Sequence, residues 1–446
     1  MSTERLILFF GSARPGEYDT LLEAGLPLGL LRDTDSPNSR HRPSGFEVLE
    51  EMSFGAGVEE LVARVAAIAA VRPVSCLPVF FEGHVEAAAE VGAALGLPGL
   101  SPVAALAARD KAIMHERLTA VLGETSVARQ VAVADHDAAA AFAERVGFPV
   151  VVKPRRLHSS LYVTPCHDRA QLDTAVSRLL ASVPQWMESG DADTTLLVEE
   201  YLEGSNHSVD VVAVAGLAWP TPVVDVVTGA DLGMNDFQHF ARIAPSALSA
   251  EAAAELQELA VRATQALDLS PGVSHVEMIR TAAGPRVVEV GGRPGGNRHR
   301  LLYVGHGVDL CRAYVDVLRG RIPDLEPTVG RAVAVATPYP LHSGLFRGFN
   351  GLERVSGLRS VRTVSERVAP GDLVGSPRDG SRSPLSVELQ AAERHLVTAD
   401  LARLAEIRRD LFDLVEVAGH GSDRDRVGRR SAGRSPAVGP GGYPAG

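Results

Sequence analysis

The segment at residues 275–298, HVEMIRTAAGPRVVEVGGRPGGNR, most constrains what this chain can fold into. It contains two runs of alternating apolar residues around the turn signal AGP at 283–285, a pattern typical of a β-hairpin. If the hairpin folds about position 283, Glu277 and Glu289 lie directly opposite each other. Both side chains then point to the same face of the sheet.

Two carboxylates in that arrangement repel each other and destabilise the strand pair. A cation between them removes the repulsion. A hard divalent ion such as Mg²⁺ is commonly held by one or two carboxylates together with substrate phosphates. The paired Glu277 and Glu289 therefore predict a site for a magnesium-bound nucleotide.

The composition excludes several other classes of protein. A chain of 446 residues, 45% of them hydrophobic, is long enough for two to four domains with their own cores. The formal net charge of -11 argues against a general nucleic-acid-binding protein. No apolar stretch is long enough to cross a membrane, and the three scattered cysteines lack metal-ligand spacing. We therefore expect a cytoplasmic protein with reduced thiols and no membrane partner.

The order of predicted elements indicates an α/β fold made of several domains. Residues 1–102 are expected to form a Rossmann-like parallel α/β domain, because strands and helices alternate along them. Its predicted strands lie at 5–10 and 74–81, and its predicted helices at 58–71 and 83–95.

Residues 103–320 are expected to form a second domain with two lobes. Its predicted strands lie near 126–131, at 149–154, 195–200, 207–215 and 219–227, and in the hairpin; its predicted helices lie at 103–121, 137–146, 168–180, 250–267 and 307–318. Short glycine-rich strands predict a small β-rich domain at 321–418, within which 387–396 and 398–409 have a mixed pattern. Residues 419–446 hold almost no large apolar side chain, which predicts a disordered tail.

Two lysines are candidate phosphate ligands. Lys153 ends the apolar strand at 148–153, from which a lysine can reach a phosphate as a point charge; the alternative is a solvent-exposed strand end. The following loop, 155–163, offers backbone N–H groups and two guanidinium groups to phosphates, but it contains no glycine. Lys111 opens a helical segment at 110–118, and the alternative for it is a lysine on the helix surface.

The strand at 196–204, LLVEEYLEG, runs into Glu199, Glu200, Tyr201 and Leu202. The exit of such a strand presents backbone C=O and N–H groups to the edge of an adenine ring, which apolar side chains can sandwich. The alternative is an ordinary strand end with solvated glutamates.

Arg293 lies just after the second carboxylate, among the glycines of 291–297 (GGRPGGN). These glycines, Gly295 among them, allow the backbone to approach a substrate closely, and the guanidinium can clamp a carboxylate or a transferred phosphoryl group. The alternative is a flexible surface loop. His239 is a further candidate on the substrate side, although a lone histidine is more often a packed residue. Neither GxGxxG nor GxxxxGK[ST] occurs in the chain, so the nucleotide sites built on those loops are excluded.

Five motifs in chain order resemble those of the ATP-grasp superfamily of carboxylate–amine ligases. They are DK at 110–111, FPVVVKP at 148–154, LLVEEYLEG at 196–204 followed by SVD at 208–210, HVEMI at 275–279 and VVEVGGRPGG at 287–296. The chain is most similar to the group that makes dipeptides and amide bonds in specialised metabolism. The resemblance covers about residues 1–420 and implies an ATP-grasp fold with an additional N-terminal domain.

The resemblance implies roles for particular residues. The phosphates of ATP would be bound by Lys111, Lys153 and the loop residues Ser159 and Ser160, its adenine by Glu199, Glu200, Tyr201 and Leu202, and its ribose by Asn206. Mg²⁺ would be bound by Glu277 and Glu289. Arg293 would bind the acyl phosphate or the substrate carboxylate.

The implied reaction has two steps. A carboxylate attacks the γ-phosphoryl group of ATP and gives an acyl phosphate and ADP, and an amine then displaces phosphate to give an amide. The implied cofactors are ATP and Mg²⁺, or Mn²⁺ in its place, and the implied partners are a small-molecule carboxylate and amine. The resemblance is compatible with a homodimer and leaves open a carrier protein as a partner.

Three positions depart from the family pattern. Gly291 stands where the family usually has a metal-binding Asn, and Asn206 stands where it has a ribose-binding Glu. The phosphate loop, normally glycine-rich, reads LHSSL at 157–161. These departures keep open a degenerate nucleotide-binding module without turnover as one alternative. The other alternative is a different acyl-phosphate enzyme on the same scaffold, biotin carboxylase-like or formate-using.

Overall fold

The computed structural model describes residues 4–36, 41–157, 160–182, 195–234, 236–375 and 383–415. The predicted tail at 419–446 and the candidate Ser159 lie outside the described residues. In the described part of the chain, no helix is both long and apolar enough to span a bilayer.

The N-terminal unit is built on a four-stranded parallel sheet, as the alternation of strands and helices predicts. Its elements are β1 (Leu6–Gly11), α1 (Asp19–Glu23), β2 (Leu28–Asp33), β3 (Val48–Met52), α2 (Val58–Val71), β4 (Val74–Cys76) and α3 (Val85–Leu95), with the strand order β3-β2-β1-β4. Every residue of β1 is buried, which is typical of a parallel strand covered on both faces. The strand predicted at 74–81 stops at Cys76, because Pro78 has no N–H to continue the ladder.

Two helices lead from this unit toward the rest of the molecule: α4 (Pro102–Arg109) and α5 (Lys111–Leu122). The sequence predicted one helical region, but Asp110 separates the two helices. Its carboxylate caps α5 by accepting hydrogen bonds from the N–H groups of Ala112, at 3.0 Å, and Ile113, at 3.3 Å. The cap fixes Lys111 as the first residue of α5.

The next lobe is a four-stranded antiparallel sheet with two helices on one face. Its elements are β5 (Gln130–Val133), α6 (His136–Val146), β6 (Val150–Pro154), β7 (Thr164–Cys166), α7 (Arg169–Ser182) and β8 (Leu196–Glu200), in the strand order β5-β8-β6-β7. Val150 and Val152 pack into the core beneath the helices. Because side chains alternate along a strand, Val151 and Lys153 point to the opposite face.

A nine-stranded sheet forms the largest part of the molecule. Its strands are β9 (Ser205–Val214), β10 (Leu217–Pro220), β11 (Val224–Thr228), β12 (His239–Ala244), β13 (Gly272–Thr281), β14 (Gly284–Gly291), β15 (Ala332–Ala336), β17 (Val361–Glu366) and β19 (Leu385–Ala391). The strand order is β14-β13-β9-β11-β12-β15-β19-β17, and β10 pairs with β9. The accompanying helices are α8 (Ala250–Ala266), α9 (Arg298–His306), α10 (Leu310–Leu318), α11 (Leu352–Ser356) and α12 (Arg394–Leu411).

A three-stranded sheet completes the described fold, with β16 (Gly344–Phe349) between β18 (Leu373–Val374) and β20 (Phe412–Val415). The sequence predicted short strands in this region but not their sheet. β15 pairs directly with β12, with Ala241 opposite Ala336, so the strands after residue 330 extend the large sheet. Helix α9 was not predicted, and the mixed pattern after 387 resolves into β19 and α12.

The hairpin of β13 and β14 confirms the predicted pairing of Glu277 with Glu289. The turn consists of two residues, Ala282 and Ala283. It places Met278 opposite Val287. One extra residue, Val288, then shifts the register by one position and brings the two carboxylates opposite each other. The pairing therefore depends on a bulge as well as on the turn.

Gly11, at the end of β1, closes the N-terminal sheet against the His84 ring. The His84 Nε2 atom lies 3.0 Å from Asp33 Oδ2, and its ring packs between Phe54 and Phe81. Gly11 has a φ of 86°, and a Cβ atom there would overlap the His84 ring. Only glycine allows the loops after these strands to pack this closely.

We expect Gly11→Ala to lower the free energy of unfolding by about 1–3 kcal/mol more than Gly25→Ala does. Gly25 also has a positive φ, 69°, but a Cβ there would meet no atom within 4 Å. The control therefore shares the backbone strain and lacks the overlap. Urea unfolding of both variants measures the difference, and equal values would contradict this role of Gly11.

Candidate functional site

A cleft of about 770 Å³ lies between the β5–β8 lobe and the β13–β14 hairpin. Ten of the predicted site residues line it: Lys111, Lys153, Ser160, Glu199, Glu200, Leu202, Asn206, His239, Glu277 and Glu289. Tyr201 does not line it but packs beside it, with its ring centroid 5.8 Å from that of Phe237. The structure thus brings together residues that are up to 178 positions apart in the chain, Lys111 and Glu289.

The two lysines in the cleft are the only lysines in the chain. The sequence contains 44 lysines and arginines, and all except Lys111 and Lys153 are arginines. Lys111 is 6% exposed and Lys153 is 4% exposed, so neither is a surface lysine. The local sequence around each lysine is compatible with a surface position. The composition distinguishes both lysines, because every other Lys or Arg position in the chain is arginine.

Lys111 reaches across the cleft from the start of α5. Its Nζ atom lies 3.1 Å from Glu289 Oε1 and also donates to the backbone C=O of Leu157. Lys111 therefore bridges the loop after β6 and the carboxylate on β14. In this structure its ammonium group neutralises one of the two paired glutamates.

Lys153 forms a buried ion pair with Glu199 on the neighbouring strand. Glu199 is 5% exposed, so both charges are held away from bulk water. Since a buried charge is costly without a partner, each side chain compensates for the other in the ligand-free protein. The Lys153–Glu199 ion pair lies at the end of β8, the strand whose exit the sequence predicted to contact adenine.

Glu200 lines the cleft, but its carboxylate is bound by two arginines and connects the lobe to the hairpin. Arg129 donates to its carboxylate through the backbone N–H, at 2.9 Å, and through Nε, at 2.7 Å, and Arg286 Nη2 donates at 2.7 Å. Burial raises the pKa of Glu200, but the two arginines outweigh it and hold the pKa below its ordinary value. The Glu200 carboxylate is therefore already engaged by protein groups.

Described residues of the loop after β6, Leu157, Ser160, Leu161 and Val163, line the cleft although the loop contains no glycine. Ser160 and Tyr162 adopt positive φ values of 54° and 62°, which are uncommon for these residue types. Ser160 Oγ lies 3.4 Å from the backbone oxygen of Phe237, across the cleft. The departure from a glycine-rich loop thus leaves the predicted position of Ser160 at the cleft unchanged.

A chain of hydrogen bonds fixes Glu277 on β13. His275 Nε2 lies 3.2 Å from Glu277 Oε1, and His275 Nδ1 lies 2.5 Å from Asp210 Oδ1. Asp210 also accepts from the N–H of Gly295, at 3.3 Å, in the loop that carries Arg293. Burial opposes ionisation of Glu277, but His239, His275 and Arg298 outweigh it and hold its pKa well below its ordinary value. Glu277 is therefore an oriented, ionised carboxylate.

Glu277 and Glu289 suit a magnesium ion. Their side chains remain 31% and 28% exposed toward the cleft, and carboxylate oxygens are ligands that Mg²⁺ prefers. Within the described ranges, no group of three or more His, Cys, Asp or Glu residues is arranged to hold a metal. An ion held by these two carboxylates would complete its coordination with phosphate oxygens or water, as Mg²⁺ commonly does.

Glu82 occupies the space left by Gly291, where the family pattern has a side chain. A Cβ atom at Gly291 would lie 3.1 Å from Glu82 Oε2, and the same carboxylate lies 2.7 Å from Arg293 Nε. Glu82 comes from the N-terminal unit, and no sequence signal connected it with the hairpin. The N-terminal unit therefore supplies a charged group to a second, neighbouring cleft.

A second cleft, of about 720 Å³, adjoins the first and shares Ser160, His239, Glu277 and Glu289 with it. Three arginines, Arg242, Arg293 and Arg298, line this second cleft. Arg293 was predicted, and Gly295 lies beside it without lining either cleft. The sequence prediction did not include Arg242 or Arg298.

His239 lies at the junction of the two clefts. Burial lowers the pKa of His239 to about 3, so its ring is neutral at neutral pH. Its Nδ1 atom lies 3.1 Å from Arg242 Nη2 and accepts that hydrogen bond. The predicted substrate-side position of His239 thus corresponds to a neutral, hydrogen-bonded ring.

Some of the missed residues had a usable signal. His275 lies two positions before Glu277 on a strand and must share its face, so the HxE pattern indicated a contact. Arg242 and Glu82 gave no such signal, since each reaches the second cleft from an element distant in the chain, whereas Arg298 directly follows the glycine-rich loop that carries Arg293.

Comparisons with known proteins agree with this architecture. Residues 146–299 match the family model of the ATP-grasp domain. The chain is 30% identical over 187 residues to carnosine synthase 1 of Homo sapiens, which covers 40% of this chain and 22% of that enzyme. It is 29% identical over 238 residues to D-alanine–D-alanine ligase of Marinomonas sp. (strain MWYL1), which covers 50% of this chain and 69% of that enzyme. The chain spans less than half the length of the first curated relatives it matches.

Among solved structures, an L-amino acid ligase from Bacillus licheniformis has the same fold. The TM-score is 0.73 at 18% sequence identity, and the match covers 93% of this chain and all of that one. The family match and the fold confirm the resemblance read from the five motifs. The chain therefore contains an ATP-grasp domain at residues 146–299, within a fold that it shares with this ligase.

Proposed function

We propose that this protein is an ATP- and Mg²⁺-dependent ligase that activates a carboxylate as an acyl phosphate and joins it to an amine. The observation that carries the proposal is the in-register pair Glu277 and Glu289 at the junction of the two clefts. One cleft contains the only two lysines of the chain, and the other is lined by three arginines.

ATP would occupy the first cleft. Val151, Leu202 and Ile279 offer apolar surfaces to the adenine ring, and the backbone at the exit of β8 offers hydrogen bonds to its edge. Lys111 would exchange its contact with Glu289 for a phosphate oxygen, and Lys153 would act as a second cation. Ser160 and Asn206 would contact the phosphate and ribose groups.

Mg²⁺ would be held by Glu277 and Glu289, with Mn²⁺ as a substitute, and would neutralise charge on the transferring phosphoryl group. His275 and Asp210 keep Glu277 ionised and oriented, so the carboxylate need not reorganise when the ion binds. Arg293 would bind the reacting carboxylate or the acyl phosphate in the second cleft.

The two steps balance in atoms and charge. An oxygen of the carboxylate attacks the γ-phosphorus, and ADP leaves. The amine nitrogen then attacks the acyl carbon, phosphate leaves, and the amine loses a proton to solvent. Because phosphoryl transfer depends on positioning and charge neutralisation, the residues described above suffice for the first step.

The relatives favour amino acids as substrates. Carnosine synthase, D-alanine–D-alanine ligase and L-amino acid ligase are each named for joining amino acids. The fold is also found in biotin carboxylase, with a TM-score of 0.64 at 15% identity. Turnover that depends on bicarbonate or formate instead of an amino acid would favour that second reaction, and binding of ATP without turnover would favour a degenerate module.

We expect Glu289→Gln to lower acid-dependent ADP release by about 100-fold or more and to raise the Mg²⁺ concentration needed for half-maximal rate. The amide keeps the shape of the side chain and removes one anionic ligand. Steady-state ADP release across a Mg²⁺ titration measures both effects. Glu366→Gln is the control, because Glu366 is exposed on β17, far along the sheet from the hairpin. A Glu289 variant that keeps the wild-type rate would refute the assigned metal site.

We further expect an ATP analogue with a lysine-reactive acyl phosphate to label Lys111 or Lys153, and excess ATP to prevent the labelling. The chain has no other lysine, so peptide mass spectrometry gives an unambiguous site. Acetyl phosphate, which lacks the nucleoside, is the matched control reagent. Equal labelling by both reagents, or no protection by ATP, would count against nucleotide binding in the first cleft.

A further inference from the structure

We propose that the second cleft contains a subsite, centred on Arg242, that binds the non-reacting carboxylate of a dicarboxylic acid substrate. The proposal rests on the ligase function proposed above and names the chemical class of its acid. The three arginines of the second cleft, Arg242, Arg293 and Arg298, differ in their partners.

Arg298 and Arg293 have acceptors within the protein. Arg298 donates to Ser208 Oγ through Nε, at 2.9 Å, and through Nη2, at 2.7 Å, and its Nη1 donates to the Gly296 carbonyl, at 3.1 Å. Arg293 lies 2.7 Å from a Glu82 carboxylate oxygen and donates to the Pro294 carbonyl. Neither guanidinium lacks protein acceptors.

Arg242 lacks a counter-ion. Its Nη2 contacts the neutral His239 ring, and its Nη1 is inaccessible to solvent and has no acceptor among the described residues. Its strand neighbours are Val226 on β11 and Val335 on β15, which carry no charge. No carboxylate in the described ranges lies within ion-pair distance of it. Of the three arginines, Arg242 is therefore the one with neither a carboxylate nor another protein oxygen as acceptor among the described residues.

The surroundings make this charge costly. Burial, with the charges of Arg298 and Arg367, lowers the pKa of Arg242 to about 9, and Glu277 opposes the shift. An anion placed beside Arg242 would offset both the burial and the repulsion between the arginines. A carboxylate, which can accept two N–H groups of one guanidinium, has the geometry for that position.

The position of Arg242 indicates a substrate and not the nucleotide. Arg242 lines the second cleft and not the first, whereas His239 lies between them. Strand β12 is separated from β13 by β9 and β11, so their backbones stand about 14 Å apart. Because Arg242 and Glu277 both line the second cleft, their side chains cover part of this separation, and a short dicarboxylate can place one carboxylate beside Glu277, Glu289 and Arg293 and the other beside Arg242.

The test compares matched acids that differ only in the second carboxylate: glutarate with its monoamide, and L-glutamate with L-glutamine. Amino-acid amides serve as the amine pool, so that the acid is the only carboxylate added. We expect the wild type to favour the dicarboxylate by about 10- to 100-fold in kcat/KM for ADP release. Arg242→Gln should abolish the preference, and Arg242→Lys should keep part of it.

Arg300→Gln is the control, because it removes the same charge from an arginine that pairs with Glu388 outside both clefts. It should keep the preference. ADP release without a preference between the paired acids would overturn the subsite and leave the ligase function standing. An effect of Arg242→Gln on the KM for ATP alone would also overturn it, since the anion would then be the nucleotide.

A binding measurement separates the subsite from turnover. Thermal unfolding in the presence of glutarate, without ATP, should show stabilisation of the wild type and none of Arg242→Gln, while the monoamide stabilises neither. If no acid supports ADP release but glutarate still binds through Arg242, the proposed function fails and the subsite holds. A second assay pairs a neutral monocarboxylic acid with amines that either carry or lack a carboxylate. If the Arg242-dependent preference then follows the carboxylate of the amine, the assignment of the subsite to the acid is wrong.

Discussion

The repulsion between Glu277 and Glu289 is the constraint around which the site is arranged. At a cross-strand spacing of about 5 Å and an effective dielectric constant of about 20, two unit charges repel by about 3 kcal/mol. Lys111, at 3.1 Å from Glu289, attracts it by about 5 kcal/mol under the same assumptions. His275 lies beside Glu277 in the same way. Lys111 and His275 therefore take the place beside the two glutamates that a metal ion would occupy. Binding of Mg²⁺ and a nucleotide would exchange the Lys111–Glu289 contact for contacts with the ligand.

A series of side chains with alternating charges connects the loop after β6, the N-terminal unit and Arg293. Arg156 in the loop after β6 pairs with Glu86 at 2.5 Å, and Glu86 lies 3.5 Å from Arg109. Arg109 lies 3.8 Å from Glu82, which holds Arg293. Because the inner members of this series are well shielded from solvent, salt screens them less than it screens surface pairs. The loop over the nucleotide cleft and the arginine of the substrate cleft are thus connected through the N-terminal unit.

The sequence sufficed for those parts of the fold and site that depend on local pattern. Alternating apolar residues and a turn signal predicted the hairpin, and apolar runs predicted the strands near whose ends Lys153 and Glu199 lie. The bulge at Val288 could not be predicted, because nothing in the local pattern distinguishes it from an in-register residue. The contributions of Glu82 and Arg242 depend on tertiary packing, which joins elements that are far apart in the chain. Asp110 is different, since its capping preference was visible and marked the break between α4 and α5.

The pairing of β15 with β12 has a consequence for how the molecule is assembled during synthesis. Strand β12 carries His239 and Arg242, and its outer edge is covered by β15, which is in turn covered by β19. The last residue that lines the nucleotide cleft is Glu289, whereas β12 remains an open edge until β15, which ends at Ala336, has left the ribosome, and β15 remains one until β19, which ends at Ala391, follows. An unpaired edge invites pairing with other chains. The strand that carries His239 and Arg242 is therefore the exposed edge of the sheet until β15 pairs with it, and the residues after 330 protect the substrate cleft from such pairing.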